Sequence, residues 1–290
     1  LVIAGVAEWS NALGWGPSSL VDARVQSSSP AYLLNQTYLN PKIFKTDMKS
    51  AWQVTQEVKT LPSLKTPLFI EGLPGIGNVG KIAVDFLVEE LKAKRLYSFF
   101  SYKFPHSVFV SENNLIEMPK VEIYYKKSTG NQRDLLFLTG DIQPIDEESC
   151  YTFCEEILKI VKKFNCSEVI TTGGIGLQEL PEKTKIYVTG NDEKLLKSYL
   201  KKDLLTEKDI FGVVGPIVGV SGVLLGLGNM QNVKGVALLA ETFGHPMHLG
   251  VKGAKEILRV LNKKFTLRLN IKKLNKEISE VEKEILKKTK

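Results

Sequence analysis

The fold is decided by one stretch, Pro67-Leu-Phe-Ile-Glu-Gly-Leu-Pro-Gly-Ile-Gly-Asn-Val-Gly-Lys81. Its apolar run Leu68–Ile70 predicts a buried strand, and four glycines follow it. An amphipathic run from Lys81 to Lys94 then predicts a helix, because its apolar residues recur at helical spacing. The stretch is therefore typical of a strand, a tight loop and a helix, the unit from which α/β domains are built.

Two phosphate-binding motifs nearly match this stretch. Residues 75–80 satisfy the dinucleotide pattern, but Phe100-Ser-Tyr-Lys-Phe-Pro105 lacks the acidic residue expected at the end of the next strand. Gly75 to Lys81 also match part of a P-loop, but Ile82 replaces the Ser or Thr that binds magnesium. Each motif thus fails at a residue that carries its chemistry. The alternative is a turn in which glycines let the backbones of strand and helix pack closely.

The composition is that of an ordinary globular protein, with 43% hydrophobic and 24% charged residues among 290. Such a chain can bury the core of one large domain or two small ones. No apolar run reaches the ~18 to 20 residues of a membrane-spanning helix. The chain has three cysteines, Cys150, Cys154 and Cys166. Because their number is odd and they lack the paired spacing of a metal site, they favour a reducing compartment. We therefore predict a cytoplasmic protein.

The net charge of +7 is concentrated near the carboxyl terminus. From Val251 to Lys290 there are 13 Lys and Arg against five Glu, so the rest of the chain is about neutral. A basic segment attracts nucleic acid or acidic proteins. Here the lysines alternate with glutamates at helical spacings, which favours a solvated helix face. Nucleic-acid binding is therefore not expected.

Residues 1–47 show neither strand nor helix periodicity. They resemble a tRNA gene read in frame, because Val6-Ala-Glu-Trp9 back-translates to GTGGCCGAGTGG, a typical D-arm. Likewise, Val25-Gln26 back-translates to GTTCAA, the start of a T-loop. We therefore expect Met48 to be the true start, with a translated upstream tRNA gene or a disordered segment before it. A signal peptide is disfavoured, since a charged n-region and a continuous apolar h-region are absent.

Beyond the first helix, strand-like and helix-like segments alternate along the chain. The strand-like segments are 95–102, 107–110, 121–125, 134–139, 168–171, 185–189 and 233–239, and the helix-like segments are 146–164, 192–200, 222–227 and 252–261. This order predicts one three-layer α/β/α domain, residues 48–265, with a mostly parallel sheet covered on both faces. Ligands bind outside the carboxyl ends of the strands in such sheets. Four loops are expected to meet there: 72–80, 140–141, 172–176 and 241–246.

Glycines and polar residues at this edge define a possible ligand site, with Gly75, Gly77, Asn78, Gly80, Gly174, Glu241 and His245 as its members. Together with Asp141 and His248, the glutamate and histidine of this set are suited to acid–base chemistry. Pro246 interrupts the helical spacing of the two histidines and a third ligand is not evident, so no metal is predicted. No catalytic residue is assigned, because nucleophile, base and oxyanion donor do not occur together.

Residues 266–290 predict a basic amphipathic helix. Its apolar residues recur at steps of three and four, at Ile271, Leu274, Ile278, Val281 and Ile285. An apolar stripe of this kind requires a covering surface. We therefore expect the helix to pack back on the domain or to meet another subunit.

From about Leu64 to Glu284 the chain resembles the PAC2 family, the archaeal relatives of proteasome assembly chaperone 2. The order and spacing of four segments carry the resemblance: 71–80, 172–176, 215–222, and 240–244 with 254–258 beyond it. The resemblance implies a fold related to the nucleoside phosphorylases and an ATP-independent chaperone without cofactor. It also implies binding to proteasome α subunits or a family paralogue, as a homo-oligomer or heterodimer.

Two features depart from the family pattern. The chain ends Lys287-Lys-Thr-Lys290, without the hydrophobic-Tyr-X tail by which some relatives dock into the α ring. Archaeal relatives tend to carry Pro-Asp-Pro after the Glu-Thr-x-Gly element, whereas this chain has Met247-His-Leu-Gly250. Tail docking is therefore not favoured. The alternative function is a small-molecule-binding protein or enzyme that uses the glycine-rich edge for a nucleotide or a carboxylate.

Overall fold

The computed structural model describes residues 51–111, 113–130, 132–207 and 209–270. One eight-stranded sheet runs through this part of the chain, in the order β1-β3-β6-β7-β2-β8-β10-β9. The strands are β1 (Gln53–Gln56), β2 (Leu68–Gly72), β3 (Lys94–Phe100), β6 (Val121–Lys126), β7 (Leu135–Gly140), β8 (Glu168–Leu177), β9 (Ile186–Gly190) and β10 (Gly235–Phe243). Two short strands, β4 (Phe109–Val110) and β5 (Ile116–Glu117), pair in a separate hairpin.

The centre of the sheet is parallel and its two flanks are antiparallel. β7, β2, β8 and β10 are parallel neighbours, whereas β6, β3 and β1 on one side and β9 on the other pair antiparallel. All five residues of β2 are buried, as expected for a strand covered on both faces. The predicted α/β class, a large sheet flanked by helices, is confirmed.

In the part of the chain that the structure describes, five α-helices form the outer layers: α1 (Val79–Glu90), α2 (Glu147–Lys163), α3 (Glu193–Tyr199), α4 (Val220–Met230) and α5 (Val251–Phe265). α1 and α5 pack on one face of the sheet, in the apolar cluster that contains Leu68 and Ile70. α2 and α4 pack on the other face, in the cluster that contains Phe69. The core therefore consists of two apolar layers separated by the sheet. The Asp146 cap predicted for α2 is confirmed, because its side chain accepts a hydrogen bond from Ser149 N–H.

The prediction of a glycine loop at residues 173–176 is wrong. These residues lie inside β8, which pairs with β10 as far as Leu177 and Phe243. Glycine weakens a strand, but it also permits another backbone to approach closely. A Cβ atom on Gly174 would lie 2.3 Å from the carbonyl oxygen of Ile76. The last strand is also longer than predicted, so that Glu241 lies on β10 and not in a loop.

Several predictions fall on residues that the structure does not describe. Residues 1–47 lie outside the described ranges, as does the apolar stripe at Ile271, Leu274, Ile278, Val281 and Ile285. The domain boundaries at residues 48 and 265 and the basic carboxyl-terminal helix therefore stay predictions. The folded core reaches at least to Trp52, which is buried against Phe104 and Phe153. Within the described ranges, no helix combines the length and apolar character needed to cross a membrane.

Candidate functional site

The candidate site lies at the carboxyl edge of the parallel strands, where the loop after β2 turns into α1. A short 3₁₀ turn, Ile76–Asn78, directly precedes the helix. Gly77 and Asn78 both adopt left-handed backbone angles, with φ of 60° and 51°. Glycine favours this conformation, and Asn tolerates it better than most residues do. The amide of Gly250, which precedes α5, donates a hydrogen bond of 2.7 Å to Gly77 O, so the loop is held by the end of another segment.

Several glycines of this edge lie directly against other parts of the backbone. A Cβ atom on Gly80 would lie 2.3 Å from Thr172 O, and one on Gly72 would lie 2.2 Å from Gly80 O. A Cβ atom on Gly174 would likewise lie too close to Ile76 O, at 2.3 Å. Real Cβ atoms do not approach a carbonyl oxygen so closely, so these positions require glycine for packing. Gly75 differs, because no atom lies within 4 Å of its Cβ position.

The structure brings together only part of the predicted ligand edge. Gly77, Gly80 and Gly174 lie at the junction of β2, β8 and α1, and Asn78 is buried there. His245 lies beyond the end of β10 on the surface, where its ring stacks on Phe243 with centroids 5.6 Å apart. The ligand role of these residues stays a prediction. The close contacts of Gly77, Gly80 and Gly174 with neighbouring segments also give these three glycines a structural role.

Glu241 is held by β9, away from the glycine junction. Its carboxylate accepts hydrogen bonds from Lys185 N–H at 3.0 Å and from the hydroxyl of Tyr187 at 3.2 Å. Burial and the nearby Glu241 carboxylate raise the pKa of Tyr187 above its usual range. Asp141, after β7, contacts Lys81 Nζ at 3.4 Å and accepts the amide of Lys120. The carboxylates predicted for acid–base chemistry therefore have separate structural partners.

Sequence reasoning missed Glu71 as a site residue. Its side chain is fully buried on β2, on the face covered by α2 and α4. One carboxylate oxygen accepts the amide of Leu73 and the other accepts the hydroxyl of Ser221, both at 2.9 Å. Burial raises the pKa of Glu71 to about 7, against the lowering effect of these hydrogen bonds. The available signal was a glutamate within an otherwise apolar strand, one residue before its end.

Glu71 is surrounded by hydroxyl and thiol groups, and we call Glu71, Cys150, Cys154, Thr171 and Ser221 the Glu71 cluster. Thr171 pairs with Glu71 in the parallel register of β8 and β2, so both side chains point to the same face. Its hydroxyl is buried without a hydrogen-bond partner among the described residues. The hydrogen bond with Cys150, together with burial, raises the pKa of the Cys154 thiol. The cluster is therefore polar and enclosed.

The side chain of Gln143 forms further hydrogen bonds between segments at this edge of the sheet. Its amide nitrogen donates to Pro74 O in the loop after β2, and its amide oxygen accepts Val220 N–H at 3.2 Å at the start of α4. Gly219, with φ of 84°, leaves room for this side chain. Three segments are thus joined by hydrogen bonds: residues 73–78, residues 141–146 and residues 215–221. We call them the three edge loops.

The three edge loops carry apolar side chains at the surface. Ile76 is 51% exposed, Ile145 51% and Val218 69%. Exposed apolar side chains grouped on one side of a domain are typical of protein interaction sites. No group of three or more His, Cys, Asp or Glu side chains within the described ranges is arranged to hold a metal ion.

Comparison with known proteins identifies the family. The model of the PAC2 family matches residues 69–288. The chain belongs to the PAC2 family. An uncharacterised protein of Methanocaldococcus jannaschii is 31% identical over 229 residues, which are 79% of this chain and 85% of that protein.

Two solved structures of PAC2 relatives from Pyrococcus furiosus are similar over most of their length. PbaB, described as an archaeal proteasome activator, has a TM-score of 0.73 and 33% identity, covering 83% of this chain and 99% of that one. PbaA, described as an archaeal homologue of proteasome-assembly chaperone, has a TM-score of 0.65 and 26% identity, covering 81% and 91%. Over about four fifths of its length, this PAC2 chain is therefore similar in fold to two proteins whose descriptions link them to the proteasome.

Proposed function

We propose that this PAC2 protein is a cytoplasmic, non-enzymatic chaperone of the proteasome. In this proposal it binds proteasome α subunits or a PAC2 paralogue, as a homo-oligomer and without ATP. The observation that supports it most strongly is the relation to PbaB, at 33% identity over 99% of that chain. The relation to PbaA supports an assembly role in particular.

Independence from ATP is supported by the loop chemistry. A P-loop needs a hydroxyl for magnesium after its lysine, and Ile82 occupies that position. It also needs a backbone that is free to surround phosphates. Here Gly80 and Gly174 lie against carbonyl oxygens of Thr172 and Ile76, which would repel a phosphate. A nucleotide would have to displace these packed segments.

We place the partner-binding surface on the three edge loops, because their apolar tips are exposed. Replacing Ile76 by Asp should weaken capture of α subunits or of a paralogue at least about tenfold, or about 1.4 kcal/mol. The reason is that a central apolar contact would become a buried, unpaired charge. The measurement is affinity capture from native extract with the purified protein as bait, followed by mass spectrometry.

The matched control is Met230→Asp, since Met230 is 80% exposed at the end of α4, on the opposite edge of the sheet. This variant should capture partners as well as the wild type does. Equal loss in both variants would show that the edge loops are not the binding surface. Recovery of a bound metabolite, with no α subunit and no paralogue, would favour the small-molecule alternative.

A further inference from the structure

The side chain of Glu71 ends in a carboxyl group that is fully buried in the protein. Among the residues that the structure describes, no Lys, Arg or His forms an ion pair with it; its carboxyl oxygens accept the amide of Leu73 and the hydroxyl of Ser221. The titratable groups that face it are the thiols of Cys150 and Cys154 on α2. The groups of β8 and α4 that face Glu71 are the hydroxyls of Thr171 and Ser221, which carry no charge. A carboxylate at this position is therefore desolvated without a compensating cation.

The hydrogen bonds of Glu71 hold segments that are far apart in sequence. Leu73 begins the loop after β2, and Ser221 lies in the first turn of α4. Gln143 extends the connection to the loop after β7, because it bonds both Pro74 and Val220. One buried carboxyl group is therefore connected by hydrogen bonds to two of the edge loops directly, and Gln143 joins the third to both of them. Those loops also carry the exposed side chains of Ile76, Ile145 and Val218.

We propose that Glu71 is a proton-dependent switch for the three edge loops. With a proton on its carboxyl group, the cluster is neutral and closed: one oxygen still accepts Leu73 N–H, and the protonated oxygen donates to Ser221 Oγ instead of accepting from it, so the loops stay connected. When the proton is lost, the carboxylate draws water into the cluster and the loops loosen. The hydroxyl of Thr171, fully buried and without a partner among the described residues, gives entering water a second polar group to bond.

The direction of the switch follows from burial. Burial disfavours the charged form of a carboxyl group, and the pKa of Glu71 is about 7, so the switch operates near neutral pH. The hydrogen bonds from Leu73 and Ser221 oppose this effect, because they lower the pKa of Glu71. This inference goes beyond the proposed function and does not depend on it, since it concerns the free chain.

The test is amide hydrogen exchange of the purified full chain at pH 6 and pH 8, expressed as protection factors. In the wild type, protection of residues 73–78 and 217–221 should fall at least about tenfold at the higher pH, because the closed state then requires a buried charge. Amides of β9 that exchange by local opening should not show this change, since that strand pairs with β10 at the far edge of the sheet. In Glu71→Gln, which keeps the side-chain shape without ionising, protection of the edge loops should not change with pH.

A second measurement keeps the inference falsifiable if the variant folds poorly. The Glu71 carboxyl carbon of the labelled wild-type chain is followed by NMR through a pH titration. A midpoint near 7, together with loss of protection in the edge loops, supports the switch. A midpoint near the ordinary value of 4.5 overturns it. Unchanged protection across a midpoint near 7 overturns it as well, because proton loss would then leave the loops closed.

Discussion

Replacing Gly80 by Ala should lower the free energy of unfolding by about 3 kcal/mol, the upper part of the usual range for overpacked sites. The added Cβ would lie 2.3 Å from Thr172 O, so α1 would have to move away from β8. This cost exceeds the gain of about 1 kcal/mol that alanine brings over glycine inside a helix. Urea denaturation followed by circular dichroism measures the change.

Gly75→Ala is the matched control, five residues earlier in the same glycine-rich stretch. No atom lies within 4 Å of its Cβ position, and its backbone is extended, with φ of −162°. The free energy of unfolding should therefore change by less than about 0.5 kcal/mol. If Gly80→Ala proved as stable as the control, the close contact between α1 and β8 would be contradicted. The glycines would then be better explained by a ligand that approaches the backbone.

The second large effect concerns pH. Because its pKa is raised from 4.5 to about 7, Glu71 favours the folded state fully below pH 4.5, and this contribution is lost as the pH rises through 7. At about 1.4 kcal/mol for each pH unit between the two values, the loss is up to about 3 kcal/mol. Relative to Glu71→Gln, the wild type should therefore lose stability between pH 5 and pH 8, measured by denaturation at each pH.

Glu155→Gln provides the comparison for this experiment, since Glu155 is exposed on α2. This variant should follow the pH dependence of the wild type. A constant difference in stability between the wild type and Glu71→Gln from pH 5 to pH 8 would contradict the raised pKa of Glu71. The experiment measures global unfolding, so it is separate from the local opening that hydrogen exchange detects.

Much of the fold could be predicted from local sequence. The strand before the first glycine loop and the helix capped by Asp146 were both readable, because apolar periodicity and a capping side chain act within one element. The strand order at the two sides of the sheet was harder to predict from the sequence. The antiparallel pairing of β1 with β3 and of β9 with β10 depends on long-range contacts. Residues 173–176 were misassigned because glycine propensity was overridden by pairing with β10.

The candidate site was harder to predict than the fold. Glycine-rich loops indicated the correct edge of the sheet, but not which glycines were already in contact with backbone, as Gly80 is and Gly75 is not. Glu71 was missed because a glutamate is seldom buried, and its burial depends on α2 and α4, which come much later in the chain. The role of Gln143 likewise depends on contacts with Pro74 and Val220 that leave no local signal.

Native mass spectrometry measures directly whether this PAC2 protein forms an oligomer and binds proteasome α subunits, as proposed above. The purified protein is mixed, in the absence of nucleotide, with purified proteasome α subunits and, in a separate sample, with a purified PAC2 paralogue. We expect a homo-oligomer that forms a complex with α subunits. Replacing both Leu274 and Ile278 by Lys should lower the native mass if the predicted apolar stripe meets another subunit, or the melting temperature if it packs back on the domain. A monomer that binds neither α subunits nor a PAC2 paralogue would contradict the account.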